Sequence, residues 1–141
     1  MSTSGTPVNP EAPDLTTAAP SPLRAVQFTE RAPNPEIAQE NEIRLIEMDG
    51  TTIEDKETLF EVIAEGFEFP DYFGGNWDAL AECLRDMGSW LDVKGYAIVM
   101  YKGEAFWRQD ADLAGKLVNA WTDSADVWLE KGVPFNLVFV R

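Results

Sequence analysis

Seven carboxylates, Glu57, Glu61, Glu65, Glu68, Asp71, Asp78 and Glu82, lie between Lys56 and Arg85 with no base among them. Acids in the first turn of a helix are favoured by its exposed amides and dipole, and lysines one turn on ordinarily balance them. Here those lysines are missing. The run includes Pro70-Asp71-Tyr72-Phe73-Gly74-Gly75-Asn76-Trp77-Asp78-Ala79-Leu80-Ala81-Glu82-Cys83-Leu84, a turn leading into a helix. Two kinds of chemistry suit such carboxylates: acid–base work by a pair, and recognition of a basic surface. The chain has no histidine, which removes the commonest general base and every Ser-His or Cys-His nucleophile pair. Asp78 and Glu82 would share one helix, whereas glycosidase pairs flank a cleft from separate elements. The favoured reading is therefore a non-catalytic protein whose aromatic-flanked acidic helix start fills a basic cleft in another macromolecule, with no cofactor and no metal site expected.

Composition supports a basic partner. Of 141 residues 25 are acidic and 11 basic, a net charge of −14 and a pI near 4.2. Phosphate contacts need clustered Lys and Arg, so neither nucleic-acid binding nor docking on anionic lipid is expected. A basic protein partner met by electrostatically steered association is. One cysteine excludes an internal disulfide framework and points to a reducing compartment. The N-terminus shows neither a basic n-region nor an apolar h-region, and no stretch is apolar enough to span a membrane, so a cytoplasmic location is expected.

The elements that must position the acidic segment follow from periodicity. Seven of nine prolines fall within the first 35 residues, among Ser, Thr and Ala. That composition predicts a flexible Pro-rich tail over residues 1–40, whose removal would cost little stability, ahead of a domain over 41–141. Ala25-Val26-Gln27-Phe28-Thr29 is the one stretch of the tail that could dock as a short extended piece. Residues 43–48 read as a strand closed by the turn pair Asp49-Gly50. Asp55 can cap a helix carrying Leu59, Val62, Ile63 and Gly66, with Gly66 as its stop. A second helix starts at Asn76. Residues 96–101 and 135–140 read as strands, and Leu113, Leu117, Trp121, Ser124 and Trp128 mark a long helix from about Asp110 to Lys131, closed by Gly132. Strands separated by helices predict an α/β fold, a small three-stranded parallel sheet with helices packed against it and two helices in the first crossover. Ligands of open α/β sheets usually sit near the carboxyl ends of the strands, which is where the acidic segment is expected.

On a helical wheel Trp77, Leu80, Leu84 and Met87 share the face that packs on the sheet, while Asp78 and Glu82 occupy the opposite face with Ala81 at their edge. Asn76 caps the helix, and Gly74-Gly75 before it lets a partner's backbone approach closely. Trp90, in the loop after the helix, could anchor an interface as easily as be core, whereas Trp77 reads as core. The residues alone leave three other readings open: an acidic interaction module without a basic active site as its target, a nucleic-acid mimic blocking a DNA-binding enzyme, and a carboxylate hydrolase.

The segment from Pro70 to Leu84 resembles the signature of the barstar family, in which Pro-Glu-Tyr-Tyr-Gly-x-Asn-x-Asp-Ala-Leu-x-Asp-Cys-Leu crosses the turn into the second helix. The resemblance implies a barstar-like fold and an intracellular ribonuclease inhibitor, an immunity protein or antitoxin that binds a basic ribonuclease one-to-one and is monomeric when free. It places Glu82 where an acidic side chain takes the position of an RNA phosphate, and Tyr72, Gly74, Asn76, Asp78 and Ala81 on surrounding contact positions. Trp77 and Trp90 complete the candidate set. Two departures stand out: Glu82 is one methylene longer than the family's Asp, and Ala81 replaces a large aromatic residue. Both imply a differently shaped cleft in the target.

Overall fold

The computed structural model describes residues 12–71 and 73–141. Tyr72 and positions 1–11 of the expected tail lie outside the described residues. In chain order the elements are β1 (Val26–Thr29), α1 (Pro35–Glu40), β2 (Ile43–Asp49), α2 (Lys56–Gly66), α3 (Trp77–Arg85), β3 (Gly95–Tyr101), α4 (Gly103–Gln109), α5 (Ala111–Leu129) and β4 (Phe135–Val140). The strands form one sheet in the order β1-β4-β3-β2, every pair parallel. β3 and β4 are central and almost entirely buried, as their apolar sequences require, with the buried Asn136 of β4 the polar exception. One face of the sheet carries the main core, to which α2, α3 and α5 contribute Leu59, Ile63, Leu80, Leu84, Leu117 and Trp121. The opposite face carries a smaller core of Val99, Val138 and Val140 under Leu15 and Ala38.

The sheet thus has four strands and not three. The fourth comes from the segment expected to be a flexible tail, where Leu15, Ala25 and Ala38 are at most 4% exposed. Its order is tertiary in origin. β4 offers a free edge along which β1 pairs in register, Phe28 opposite Phe139, the Thr29 carbonyl accepts from the Arg141 amide at 2.9 Å, and the Phe28 ring stacks on Phe139 at 5.0 Å. Of those contacts the sequence suggests only that residues 25–29 could dock in extended form, and β1 is that piece.

The helices start as their caps dictate. Asp55 accepts from the Thr58 amide at 2.8 Å and Asp110 from the Leu113 amide at 3.0 Å. α5 is followed by Gly132 at φ 71°, the left-handed stop expected of it. Gly66 ends α2 for another reason: a Cβ there would meet Ile46 Cγ1 at 2.5 Å, so it is a close-approach glycine beneath β2. The left-handed position falls instead on Glu68, at φ 54°. The expected long helix is preceded by a separate α4, with Lys102 at φ 54° before it and an extended Asp110 dividing it from α5.

Candidate partner-binding site

The acidic segment begins where α2 ends, and its base is pinned to the starts of two strands. Arg44, near the start of β2, holds Glu68 at 2.6 Å and reaches the Gly66 carbonyl at 3.4 Å. The Phe67 ring meets Tyr96, at the start of β3, edge-on at 6.1 Å. The segment therefore leaves the sheet at the amino ends of the strands, contrary to the carboxyl-end position expected from open-sheet practice. The cause is α2, which carries the chain from the end of β2 back to its beginning.

Trp90 braces this base. Its indole Nε1–H donates to the Phe67 carbonyl at 2.9 Å and its ring meets Phe69 at 6.1 Å. The half-buried side chain spends its polar atom inside the molecule. Phe69 in turn meets Phe73 at 5.1 Å, and Phe73 meets Phe60 of α2 at 5.7 Å. Aromatic edge-to-face contacts of this kind stiffen a loop that has little regular hydrogen bonding.

At the start of α3, the Asn76 Oδ1 accepts from the Ala79 amide at 2.8 Å. Gly75 adopts φ 72°, with no atom within 4 Å of where a Cβ would stand, and Gly74 would place one 3.6 Å from Ala79 Cβ. Both glycines are exposed, leaving open space before the helix. Trp77 turns inward and packs edge-on against Phe60 at 4.8 Å and 80°. Leu80, Leu84 and Met87 are fully buried behind it, as the helical wheel requires. Asp78 and Glu82 are exposed, one turn apart, and Ala81 is half-buried beside them. Among the described residues neither carboxylate has an ion-pair partner, whereas Glu57 and Glu68 are paired with Lys56 and Arg44.

Two α5 residues hold α3 from below. The Trp128 indole donates to the Leu84 carbonyl at 2.8 Å. The Ser124 hydroxyl donates to Ala120 at 2.8 Å and stands 3.3 Å from the Ala81 carbonyl. Neither residue was singled out for the site, and their apolar-stripe spacing marks them only as core. Cys83 is 3% exposed. Burial first, then the charges of Glu82 and Asp86, push its thiol pKa up, so it stays protonated and unreactive. No group of side chains that could hold a metal ion occurs among the described residues, and no described helix is long and apolar enough to cross a membrane.

The arrangement offers two unpaired carboxylates on a helix whose other face is fixed. A carboxylate so placed can accept paired donors from a guanidinium or stand where a phosphate would. A family model described as Barstar (barnase inhibitor) matches residues 43–140. Those bounds run from the first residue of β2 to the last of β4, leaving β1 and α1 outside. A Bacillus subtilis (strain 168) protein, YrdF, provisionally named a ribonuclease inhibitor, is 39% identical over 51 residues, which are 36% of this chain and 53% of that protein. The chain spans about half the length of that curated relative.

Proposed function

The chain belongs to the barstar family, and from that premise we propose that it is an immunity protein that occupies the active site of a basic ribonuclease with the start of α3. The observation that carries this reading is the pair Asp78 and Glu82, exposed and without internal partners on a helix whose opposite face is fully buried. Carboxylates with no ion pair to break surrender only water on binding, so more of the attraction to a basic cleft is retained. Glu82 takes the position of the RNA phosphate and Asp78 supports it. Tyr72, Gly74, Asn76 and Ala81 form the surrounding contact surface, with Gly74-Gly75 admitting the enzyme's backbone. The inhibitor acts in the cytoplasm as a monomer and binds one nuclease molecule. Its longer Glu82 and smaller Ala81 suit a cleft shaped differently from that of the nuclease named in the family's description.

Cleavage of RNA by a panel of basic ribonucleases, with and without the chain, tests this. Stoichiometric inhibition of at least one nuclease, lost on Glu82→Ala and strongly weakened on Glu82→Gln, is the expected result. Both variants inhibiting as tightly as the parent would remove Glu82 from the phosphate position. Capture of a basic partner without ribonuclease activity would replace the reading with that of an acidic interaction module.

A further inference from the structure

A second recess lies far from α3 in the fold, at the carboxyl ends of β1 and β4. It is a cavity of about 610 Å³ whose floor is aromatic, formed by Phe28, Trp107 and Phe139. The three rings contact one another at 5.0, 5.6 and 5.8 Å between centroids. Phe28 remains 66% exposed despite those contacts. Apolar cavities of about this size with a few polar groups at the mouth are the usual form of small-molecule sites, and in parallel α/β sheets they lie at this end of the strands. Trp107 has a buried indole N–H with no acceptor among the described residues, so packing alone, without a hydrogen bond to that nitrogen, holds its ring.

The charges at the mouth decide what could enter. Arg141 binds Glu104 at 2.7 Å and Glu30 at 3.0 Å, and Glu104 also receives Arg108. These four groups compensate one another. Arg31, exposed at the rim, has no acidic partner among the described residues. Of the charged side chains at the mouth, Arg31 is therefore the one without an opposite partner among the described residues, above an aromatic floor and on a chain whose net charge is −14. A second copy of the chain would bring a like charge of that size to the contact, and a basic peptide would meet Arg31. We propose that the cavity binds a small aromatic monoanion, its ring against Phe28 and Trp107 and its carboxylate on Arg31. This site is independent of the acidic helix and of the inhibitor reading.

Titration of the full chain with 2-naphthoate, followed by NMR of the backbone amides and the Trp107 indole, tests the assignment. Saturable shifts confined to Phe28, Arg31, Trp107 and Arg141 are expected. The uncharged 2-naphthamide should bind about fivefold more weakly, the upper end of what one exposed ion pair supplies. Arg31→Gln and Phe28→Ser, both at exposed positions, should weaken 2-naphthoate to a similar extent, with Arg31→Lys retaining most of the affinity. Equal affinity for acid and amide, unchanged affinity in Arg31→Gln, or the absence of saturable shifts overturns the proposal. Shifts at the same residues that grow with protein concentration without probe would assign the recess to a second copy and overturn it equally.

Discussion

Trp128 donates its indole N–H to the Leu84 carbonyl at 2.8 Å, across 44 residues of sequence, and so fastens the last turn of α3 to α5. Trp128→Phe keeps most of the ring volume but strips a buried carbonyl of its donor. The expected loss is about 1–3 kcal/mol of folding stability, read from the urea midpoint. A midpoint equal to that of the parent would show that water or another donor reaches Leu84.

Asn76 supplies the cap at the other end of the same helix. Asn76→Ala should cost about 1 kcal/mol of stability, as cap removals do. Binding to the target nuclease should weaken as well, because Asp78 and Glu82 ride on the first two turns. Asn76→Asp keeps an acceptor and should restore stability, and titration calorimetry of both variants separates the cap's contribution from that of the amide.

With a net charge of −14, association with a basic nuclease should be steered. The association rate is expected to fall on the order of tenfold between low and physiological ionic strength, with dissociation changing far less. Stopped-flow mixing over a salt series measures both. A flat association rate would mean that contact chemistry alone governs the encounter.

Deleting residues 1–40 should be costly. The deletion removes β1 from the β4 edge and uncovers the face beneath Leu15 and Ala38. Several buried apolar side chains are lost from each site, so the melting temperature should drop by roughly 10 °C or more. Deleting residues 1–11 alone, compared by the same thermal scan, isolates the described part of the segment. Equal melting temperatures for the parent and the 1–40 deletion would restore the reading of that segment as a tail.

The Tyr101 hydroxyl donates to Glu47 at 2.6 Å. Burial first, and then the Glu47 carboxylate, push its pKa from the ordinary 10.0 to about 12. Between those values the folded chain keeps a proton that the unfolded chain has lost, so stability is complete below pH 10.0 and declines as pH rises toward about 12. Tyr101→Phe should have a shallower alkaline decline than the parent. Denaturant titrations at a series of alkaline pH values compare the two slopes, and parallel slopes would exclude Tyr101 as the group responsible.

Much of this molecule is written in local pattern. β2, β3, β4, α2 and α3 announce themselves through apolar spacing, and Asp55, Asn76 and Asp110 cap where side-chain chemistry says they should. β1 shows only as the one stretch of the tail able to dock in extended form, and that it becomes a fourth strand depends on β4 lying beside it. The acidic face of α3 is legible from the wheel alone. The direction of its approach is not, since that depends on how far α2 returns along β2, and the inward bond of Trp90 to Phe67 spans 23 residues that a local reading cannot bridge.

Strand order has a consequence for biosynthesis. β4, the last of the four strands in chain order, sits between the first strand and the third. Until β4 has emerged, β1 and β3 both present edges that nothing yet fills, and a β2–β3 pair is the most sheet a nascent chain can form. Closure must await β4 and then join the first strand of the sheet to the last, a topology that folds slowly and is open to aggregation meanwhile.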